Sequence, residues 1–294
     1  MANRLLRLMK FNGAVWPLLL LFFSIINISC APTYPKEKII EGVKSLCEKE
    51  YNVAVEVAIE ESTMGVRMPI EGLFDAETFQ INTKSFDKIT GVMLSASRVA
   101  LSSDKSIDFY TVIAHDKKVP GAEVVMTRYV HDLRRFFLGD ISRGEFTKRM
   151  VFDVRFNPQG IIDTWLGSFT FKQYSLADFM ITQIQRRITD EFRENNDLVG
   201  KFKVMSCTGA FDNGILSFVV DISREGLPMS ELIHGKSWRD KVLELCMQKI
   251  TYVAYIYSFE EAANIQVINK FDDNRIKISK NEINQWRKRR IRID

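Results

Sequence analysis

Histidines are the first residues to consider for acid–base chemistry, because the chain has only three and two of them precede an aspartate. An Asp beside a His can orient the imidazole as a general base. His115-Asp116 stands at the entry to a predicted hairpin turn, and His131-Asp132 lies on a predicted short helix. Sequence neighbours point in different directions on strands and helices. We therefore expect two exposed polar pairs and no dyad, and we interpret His234 as a loop residue.

Other chemistry-bearing patterns are missing from the sequence. No His or Cys spacing suits zinc, no Gly-x-Ser-x-Gly elbow occurs, and no glycine-rich phosphate loop occurs. The sequence therefore predicts no catalytic, cofactor-binding or metal-binding residue, and no cofactor.

Two carboxylates offer an alternative. Glu56 and Glu60 share one face of a predicted strand, because strand side chains alternate between faces. Carboxylates can serve as general acid and base. The alternative function is therefore an enzyme that uses these carboxylates, with peptidoglycan or lipid as its substrate. Glutamates on a solvated strand face are common, so a protein without enzymatic activity is the favoured interpretation.

The four cysteines divide into one near the N-terminus and three within apolar patterns. Exposed thiols in an oxidising compartment tend to pair. Cys47, Cys207 and Cys246 are an odd number and all lie in apolar-patterned elements, which favours buried free thiols. A Cys207–Cys246 disulfide is the alternative.

The N-terminal segment has the pattern of a secretory signal. Its first ten residues carry three basic side chains and no acidic one, and the first acidic residue of the chain is Glu37. Residues 14–26 are apolar apart from Pro17 and Ser24. This run is shorter than the roughly 20 residues of a spanning helix. We therefore expect residues 1–29 to be a cleaved signal peptide, with an uncleaved membrane anchor as the alternative.

The signal ends in Asn27-Ile28-Ser29-Cys30, which resembles the lipobox of bacterial lipoproteins. In that family, the bond before the cysteine is cut and the cysteine is acylated. The resemblance implies that Ser29 precedes the cut and that Cys30 is the acylated first residue of the mature chain. Asn27 departs from the Leu, Val or Ile that is usual there. The alternative is an ordinary signal peptide with a Cys near its cut site.

Residues after the cysteine imply a destination and a tether. Under the sorting rule of enterobacterial lipoproteins, an Asp after the cysteine retains the protein at the inner membrane. This chain has Ala31 at that position, so the resemblance implies the outer membrane, facing the periplasm. Several acyl chains anchor a protein stably where one is marginal. Residues 30–36 contain two prolines and no helical pattern, and we interpret them as a lipid-anchored tether.

Hydrophobic periodicity predicts an α+β half over residues 37–149. Its order is helix, hairpin, helix, hairpin, helix. Met64-Gly65 is predicted to turn the first hairpin, and Thr127 to cap the last helix. The predicted elements are a helix over 36–50, strands over 53–60 and 66–70, a helix over 85–101, and strands over 107–114 and 122–126.

A second α+β half is predicted over residues 173–294 in the same order. Ser175–Asp178 and Ser279–Glu282 resemble capping boxes, and Asn213-Gly214 is a strong hairpin signal. Between the halves, residues 150–172 predict a bridging hairpin, preceded by a further capping-box pattern at Ser142–Glu145. The fold class is thus α+β, with two similar halves whose mostly antiparallel sheets pack against helices, and we expect an internal duplication.

Several segments resemble a group of uncharacterised lipoproteins from bacteria with two membranes. They are the lipobox-like ending, residues 47–51, residues 68–71 and residues 140–146. The likeness covers the first half better than the second. The group has no assigned activity, so the resemblance implies an envelope location and a chain length but no mechanism.

Composition and charge exclude other classes. The apolar fraction is 46% and the charged fraction 27%, which is typical of a folded globular protein. Loss of the signal would leave 38 basic residues against 37 acidic ones, so we expect no nucleic-acid partner. Five basic residues within 286–292 either contact anionic lipid or cap a terminal helix.

These observations predict a lipid-anchored binding or scaffold module with an unknown envelope protein or ligand as its partner. An envelope enzyme, a soluble secreted protein and a structural homodimer are the alternatives.

Overall fold

The structure is a computed structural model of the 294-residue chain. It describes residues 34–75, 77–158, 169–195, 199, 202–224, 236–270 and 274–290, and it describes only the backbone of 236–241 and 286–290. The predicted signal peptide, Ser29, Cys30 and the first part of the tether lie outside these ranges, as does His234.

The fold is mixed α+β, as predicted, with two sheets packed against helices. A 3-10 turn at Lys36–Lys38 precedes the first helix. The α-helices of the described residues are α1 (Ile39–Tyr51), α2 (Thr83–Leu101), α3 (Val130–Phe137), α4 (Arg143–Lys148), α5 (Leu176–Glu194), α6 (Lys236–Ile256) and α7 (Lys280–Arg290). The strands are β1 (Glu56–Glu60), β2 (Thr63–Ile70), β3 (Phe109–Asp116), β4 (Ala122–Tyr129), β5 (Val151–Phe156), β6 (Phe202–Asp212), β7 (Ile215–Arg224), β8 (Asn264–Asn269) and β9 (Arg275–Ser279).

The strands form two sheets in chain order. The first sheet is β1-β2-β3-β4-β5 and the second is β6-β7-β8-β9. The β2–β3 and β7–β8 pairs are parallel, and every other pair is antiparallel. A parallel pair needs a crossover connection, which α2 makes in the first sheet and α6 in the second.

Each sheet buries one face against helices. In the first, Val66 and Val112 pack with Val43 of α1 and Val92 of α2. In the second, the buried strand side chains pack against α5 and α6. The second cluster also contains Phe109 and Val151 of the first sheet, so the second core extends onto the first sheet.

The turn of the first hairpin lies at residues 61–62, and its prediction at Met64-Gly65 was wrong. Glu61 adopts a left-handed φ of 50°, while Gly65 lies within β2. A Cβ on Gly65 would lie 2.5 Å from the ring of Phe171. This glycine therefore makes room for an aromatic ring.

The structure describes only part of the predicted bridging hairpin over residues 150–172. β5 pairs with β4 as the last strand of the first sheet. The predicted return arm lies partly outside the described residues, and residues 169–175 have no regular secondary structure. We call residues 169–175 the crossing segment, because they cross the first sheet on the face opposite α1 and α2.

The caps and turns predicted from the sequence are confirmed in part. The Ser175–Asp178 capping box and the turn at Asn213-Gly214 are confirmed. Thr127 is not a helix cap, because it lies within β4, where its hydroxyl is 2.9 Å from that of Thr111. In the described part of the chain, no helix is long and apolar enough to cross a bilayer.

Candidate functional site

The face of the first sheet opposite α1 and α2 carries an unusual mixture of polar and apolar side chains, and we call it the cleft face. Strand register places Thr111 beside Thr127, Ile113 beside Val125, and His115 beside Glu123. Phe171 of the crossing segment packs against Ile113 and Val125. The face is thus largely enclosed, whereas one face of an antiparallel sheet is commonly solvated.

A cleft of about 580 Å³ opens between the cleft face, the crossing segment and α5. This volume falls within the range of roughly 300–1,000 Å³ that small-molecule sites occupy. The lining combines apolar strand residues with polar and charged side chains of α5. The residues that line it are Thr111, Ile113, Val125, Val151, Phe152, Asp153, Arg155, Lys172, Tyr174, Thr182, Gln185, Arg186, Thr189, Asp190 and Arg193.

Four of these side chains are cationic and two are acidic. The basic residues are held in different ways. Arg155 Nε donates to Glu123 Oε2 at 3.0 Å, and Arg186 Nη1 donates to the Met150 carbonyl at 3.0 Å. Lys172 Nζ lies 4.8 Å from the centre of the Tyr174 ring and forms no ion pair within the described residues. An excess of cations over a partly apolar floor suits a ligand that carries a negative group.

The two His-Asp pairs do not form dyads, as expected, but the prediction that both pairs are exposed was wrong. Asp116 and Asp132 are each only 2% exposed. The Asp116 carboxylate accepts hydrogen bonds from the backbone N–H groups of Gly72, Phe74 and Lys118 at 2.8–3.3 Å. It therefore organises the loop that follows β2.

His115 is half-buried on the cleft face, and its Nδ1 atom has no hydrogen-bond partner among the described residues. Burial, with the nearby charges of Arg67 and Lys117, lowers the pKa of His115 to about 4. The ring is therefore neutral near pH 7.

Glu56 and Glu60 point to the same side of β1, and neither is held in a catalytic arrangement. Glu56 pairs with Arg67 at 3.7 Å, and Glu60 accepts from Gln173 Nε2 at 2.6 Å. Four residues of strand separate them by about 13 Å. Carboxylate pairs of glycosidases are about 5 to about 9.5 Å apart. This spacing does not suit that chemistry.

Sequence reasoning missed a buried charge cluster where the two halves meet. Arg149 Nη1 donates to Asp132 Oδ1 at 2.6 Å, and the Tyr257 hydroxyl donates to Asp132 Oδ2 at 3.0 Å. Arg149 Nε and Arg187 Nη2 both donate to Glu145 Oε1, at 2.9 and 3.0 Å. Each acid of the cluster pairs with an arginine, so the cluster joins elements of the two halves.

The cluster could not be found in the sequence, because its members lie on α3, α4 and α5 and around β5 and α6. Ser142–Glu145 looked like a local capping box. The structure shows half of it: Ser142 Oγ accepts from the Glu145 N–H at 3.2 Å. The Glu145 carboxylate pairs with the two arginines instead.

Cys47, Cys207 and Cys246 are free thiols in the structure. Burial raises the pKa of Cys47 to about 11 and that of Cys207 to about 12, and it raises the pKa of Cys246 as well. Thiols of this kind react slowly, because the thiolate is the reactive form. Among the described residues, no group of His, Cys, Asp and Glu is arranged to hold a metal ion.

No protein-family model, curated protein or solved structure matches the chain. The resemblance to bacterial lipoproteins therefore stays a prediction that rests on the residues quoted for it.

Proposed function

We propose that this chain is a lipid-anchored module of the cell envelope that binds a ligand in the cleft between the first sheet and α5. The N-terminal pattern supports export, and the likeness of Asn27–Cys30 to a lipobox supports acylation of Cys30 after cleavage behind Ser29. Ala31 supports the outer membrane, facing the periplasm, as the destination.

The cleft is the observation that carries the binding role. It combines a volume of about 580 Å³, an apolar floor and a cationic excess in one place. We infer a ligand with an apolar part and at least one carboxylate or phosphate group. Lys172 supports this choice, because it is the cleft cation without an ion pair in the described chain.

We also propose that the chain arose by internal duplication. In both sheets, the first four strands pair antiparallel, parallel and antiparallel. The parallel pairs start in the same register, with Thr63 opposite Phe109 and Ile215 opposite Asn264. A helix precedes, separates and follows the two hairpins in each half. β5 and the crossing segment are then additions to the first half.

The first experiment tests the anchor. The chain is expressed in a two-membrane bacterium, and the intact mass of its N-terminal peptide is measured beside a Cys30→Ala control. We expect a peptide that begins at Cys30 and carries acyl chains. A peptide that begins near residue 30 without lipid would indicate a soluble secreted protein. An uncut N-terminus would indicate a membrane-embedded anchor and would contradict the proposal.

The second experiment tests the cleft. Dodecyl phosphate and dodecanoate serve as anionic probes, dodecyl maltoside as the uncharged control, and binding is followed by calorimetry. Lys172→Met and Arg186→Met should each weaken binding of the anionic probes about tenfold, which is the loss of roughly one charge-assisted hydrogen bond. Lys44→Met, an exposed cation of α1 outside the cleft, is the matched control.

Glu56→Gln separates binding from catalysis. A binding module tolerates this change, whereas an envelope enzyme that uses Glu56 would lose its activity. Equal binding by all variants, or equal affinity for the uncharged probe, would show that the cleft does not recognise an anion. The native molecular mass of the protein, measured in the same samples, tests the homodimer alternative.

A further inference from the structure

The proposed anchor and the body of the protein are joined by a very short tether, and this inference rests on that proposed anchor. The Tyr34 N–H donates to the Ser102 carbonyl at 3.2 Å, and the Tyr34 ring packs on Gly42. Only residues 31–33 separate Tyr34 from Cys30. Four peptide steps span at most about 14 Å. An acylated Cys30 therefore keeps the Tyr34 end of the body close to the membrane surface.

That end can be located on the first sheet. Ser102 follows the end of α2, and β3 begins a few residues later at Phe109. The eight residues of β3 extend for about 26 Å. The turn after β3 and the loop that carries Phe79, between β2 and α2, lie at the opposite end. The tether therefore brings the start of β3 within reach of the membrane, and the loop with Phe79 lies at the far end of the sheet.

The chain between β4 and β5, residues 130–150, lies at the membrane end. β4 and β5 are antiparallel neighbours, so the chain leaves one and enters the other at the same end. The Val130 N–H donates to the Asp108 carbonyl at 2.8 Å, directly before β3. We call residues 130–150 the β4–β5 connection; it contains α3 and α4.

The β4–β5 connection is held rigidly, and its tip is apolar. The rings of Phe136 and Phe146 stack with centres 4.5 Å apart, and the Arg128 guanidinium lies 3.9 Å from the centre of the Phe146 ring. At the end of α3 and directly after it, Phe137 and Leu138 are 64% and 78% exposed. Two such neighbours at a fixed turn form a wedge with nothing over it in the described chain.

The charges around this wedge have one prevailing sign. Arg134, Arg143 and Lys148 are exposed, and Asp140 is the exposed acid among them. Glu145 is occupied by Arg149 and Arg187. Apolar tips flanked by cations are the combination with which peripheral segments enter the boundary of an anionic membrane.

We propose that Phe137 and Leu138 insert into the membrane that holds the acylated Cys30, and that Arg134, Arg143 and Lys148 contact anionic lipid headgroups there. The body then has two attachments, the acyl chains and the β4–β5 connection. Its orientation is fixed, and the loop with Phe79 faces away from the membrane.

The experiment uses two variants, each with one dye, and the dye lies at opposite ends of the body in the two variants. Leu138→Cys and Phe79→Cys are matched, because the native side chains are 78% and 75% exposed. An environment-sensitive maleimide labels each introduced thiol, since Cys47 and Cys246 are buried and the partly buried Cys207 is changed to Ser in both variants. The lipidated full chain is reconstituted in vesicles of phosphatidylethanolamine and phosphatidylglycerol, with and without brominated lipid.

We expect blue-shifted emission and quenching by brominated lipid at position 138, and water-like, unquenched emission at position 79. Arg134→Glu combined with Arg143→Glu should reduce the quenching at position 138. Water-like emission at both positions, with Cys30 shown to be acylated by intact mass, would overturn the wedge and leave the anchor in place. An unacylated Cys30 would overturn the anchor, and the proposed orientation with it.

A blue shift at position 138 that appears without vesicles and resists brominated lipid would point to a second copy of the chain or another protein. That result would overturn contact with lipid. Thermal unfolding of each labelled variant confirms that it is folded.

Discussion

At the scale of single residues, burial gives several charged side chains a role in holding the structure together. Asp132 and Arg149 are 2% and 4% exposed and satisfy each other together with Tyr257 and Glu145. Burial disfavours the charge of Arg149, yet the attraction of Asp132 and the hydrogen bonds to Glu145 and Asp132 leave its pKa raised. Such a pair adds little net stability as a whole but is costly to break.

Arg149→Met should lower the free energy of unfolding by about 3–5 kcal/mol, because it leaves the Asp132 carboxylate buried without its cation. The measurement is urea denaturation of the chain without its signal. Arg193→Met is the matched control: Arg193 also pairs at 2.6 Å, with Asp190, but its side chain is 68% exposed. It should change stability by less than about 0.5 kcal/mol. Similar losses in both variants would contradict the structural role of the cluster.

The lowered pKa of His115 predicts that the stability of the protein depends on pH. Its pKa is about 4 in the folded state, against about 6.5 in an unfolded chain. The unfolded state therefore binds more protons between these values, so stability falls as the pH is lowered from about 6.5 to about 4. Partial exposure limits the contribution of His115 to about 1–2 kcal/mol.

The check is the unfolding free energy of wild type, His115→Gln and His131→Gln across that window. His115→Gln should flatten the decline, and His131→Gln should not, because His131 is exposed on α3. An unchanged slope in His115→Gln would mean that other groups cause the decline.

Packing between elements explains why the central strands β2, β3 and β4 are largely buried on both faces. The crossing segment lies over β2 because Gly65 offers no side chain there, and Phe171 occupies the space. The Tyr174 N–H donates to Thr63 Oγ1 at 3.2 Å, and Gln173 reaches Glu60. The crossing segment is thus fixed to two strands and helps to form one wall of the cleft.

Gly65→Ala should lower the free energy of unfolding by about 1–3 kcal/mol, because the new methyl group would lie 2.5 Å from the Phe171 ring. Gly144→Ala is the control: nothing but Ser142 Oγ, at 3.9 Å, is near its Cβ position in α4. A helical Gly→Ala change should stabilise by about 0.5–1 kcal/mol. Phe171→Leu in the Gly65→Ala background should restore part of the loss, and no recovery would show that the ring is not the obstacle.

The two halves of the molecule pack directly against each other. Phe109 of the first sheet stacks on Tyr129 with ring centres 5.0 Å apart and lies 5.3 Å from Phe179 of the second core. Arg135 Nη1 donates to the Ile256 carbonyl at 2.9 Å across the same junction. The halves therefore share a core.

Heat should unfold the protein in a single transition whose calorimetric enthalpy equals its van't Hoff enthalpy. Phe109→Ala should cost about 3–5 kcal/mol and separate the two halves into distinct transitions. Phe137→Ala, which truncates an exposed ring, should leave a single transition in the chain without lipid. Two transitions in the wild-type protein would contradict a shared core.

Local features of this chain follow from its sequence, because they depend on residues a few positions apart. The α+β class, the Ser175 cap and the Asn213-Gly214 turn are of this kind. The cleft was beyond sequence reasoning: its cations lie on β5, the crossing segment and α5, and only tertiary packing brings them together. The signal peptide and Cys30 lie outside the described residues. Both of them, and the envelope location that they imply, stay predictions.

What tertiary structure alone decided is which partners occupy the polar and small residues. Gly65 has the residue type of a turn, Glu145 that of a cap and Asp132 that of an exposed helix face. Each instead contacts a partner distant in sequence: Gly65 contacts Phe171, Glu145 pairs with Arg187, and Asp132 accepts a hydrogen bond from Tyr257. A short sequence window sets backbone preference, but burial and pairing are properties of the assembled cores, and they outweigh local preference wherever a charge or a ring is removed from water.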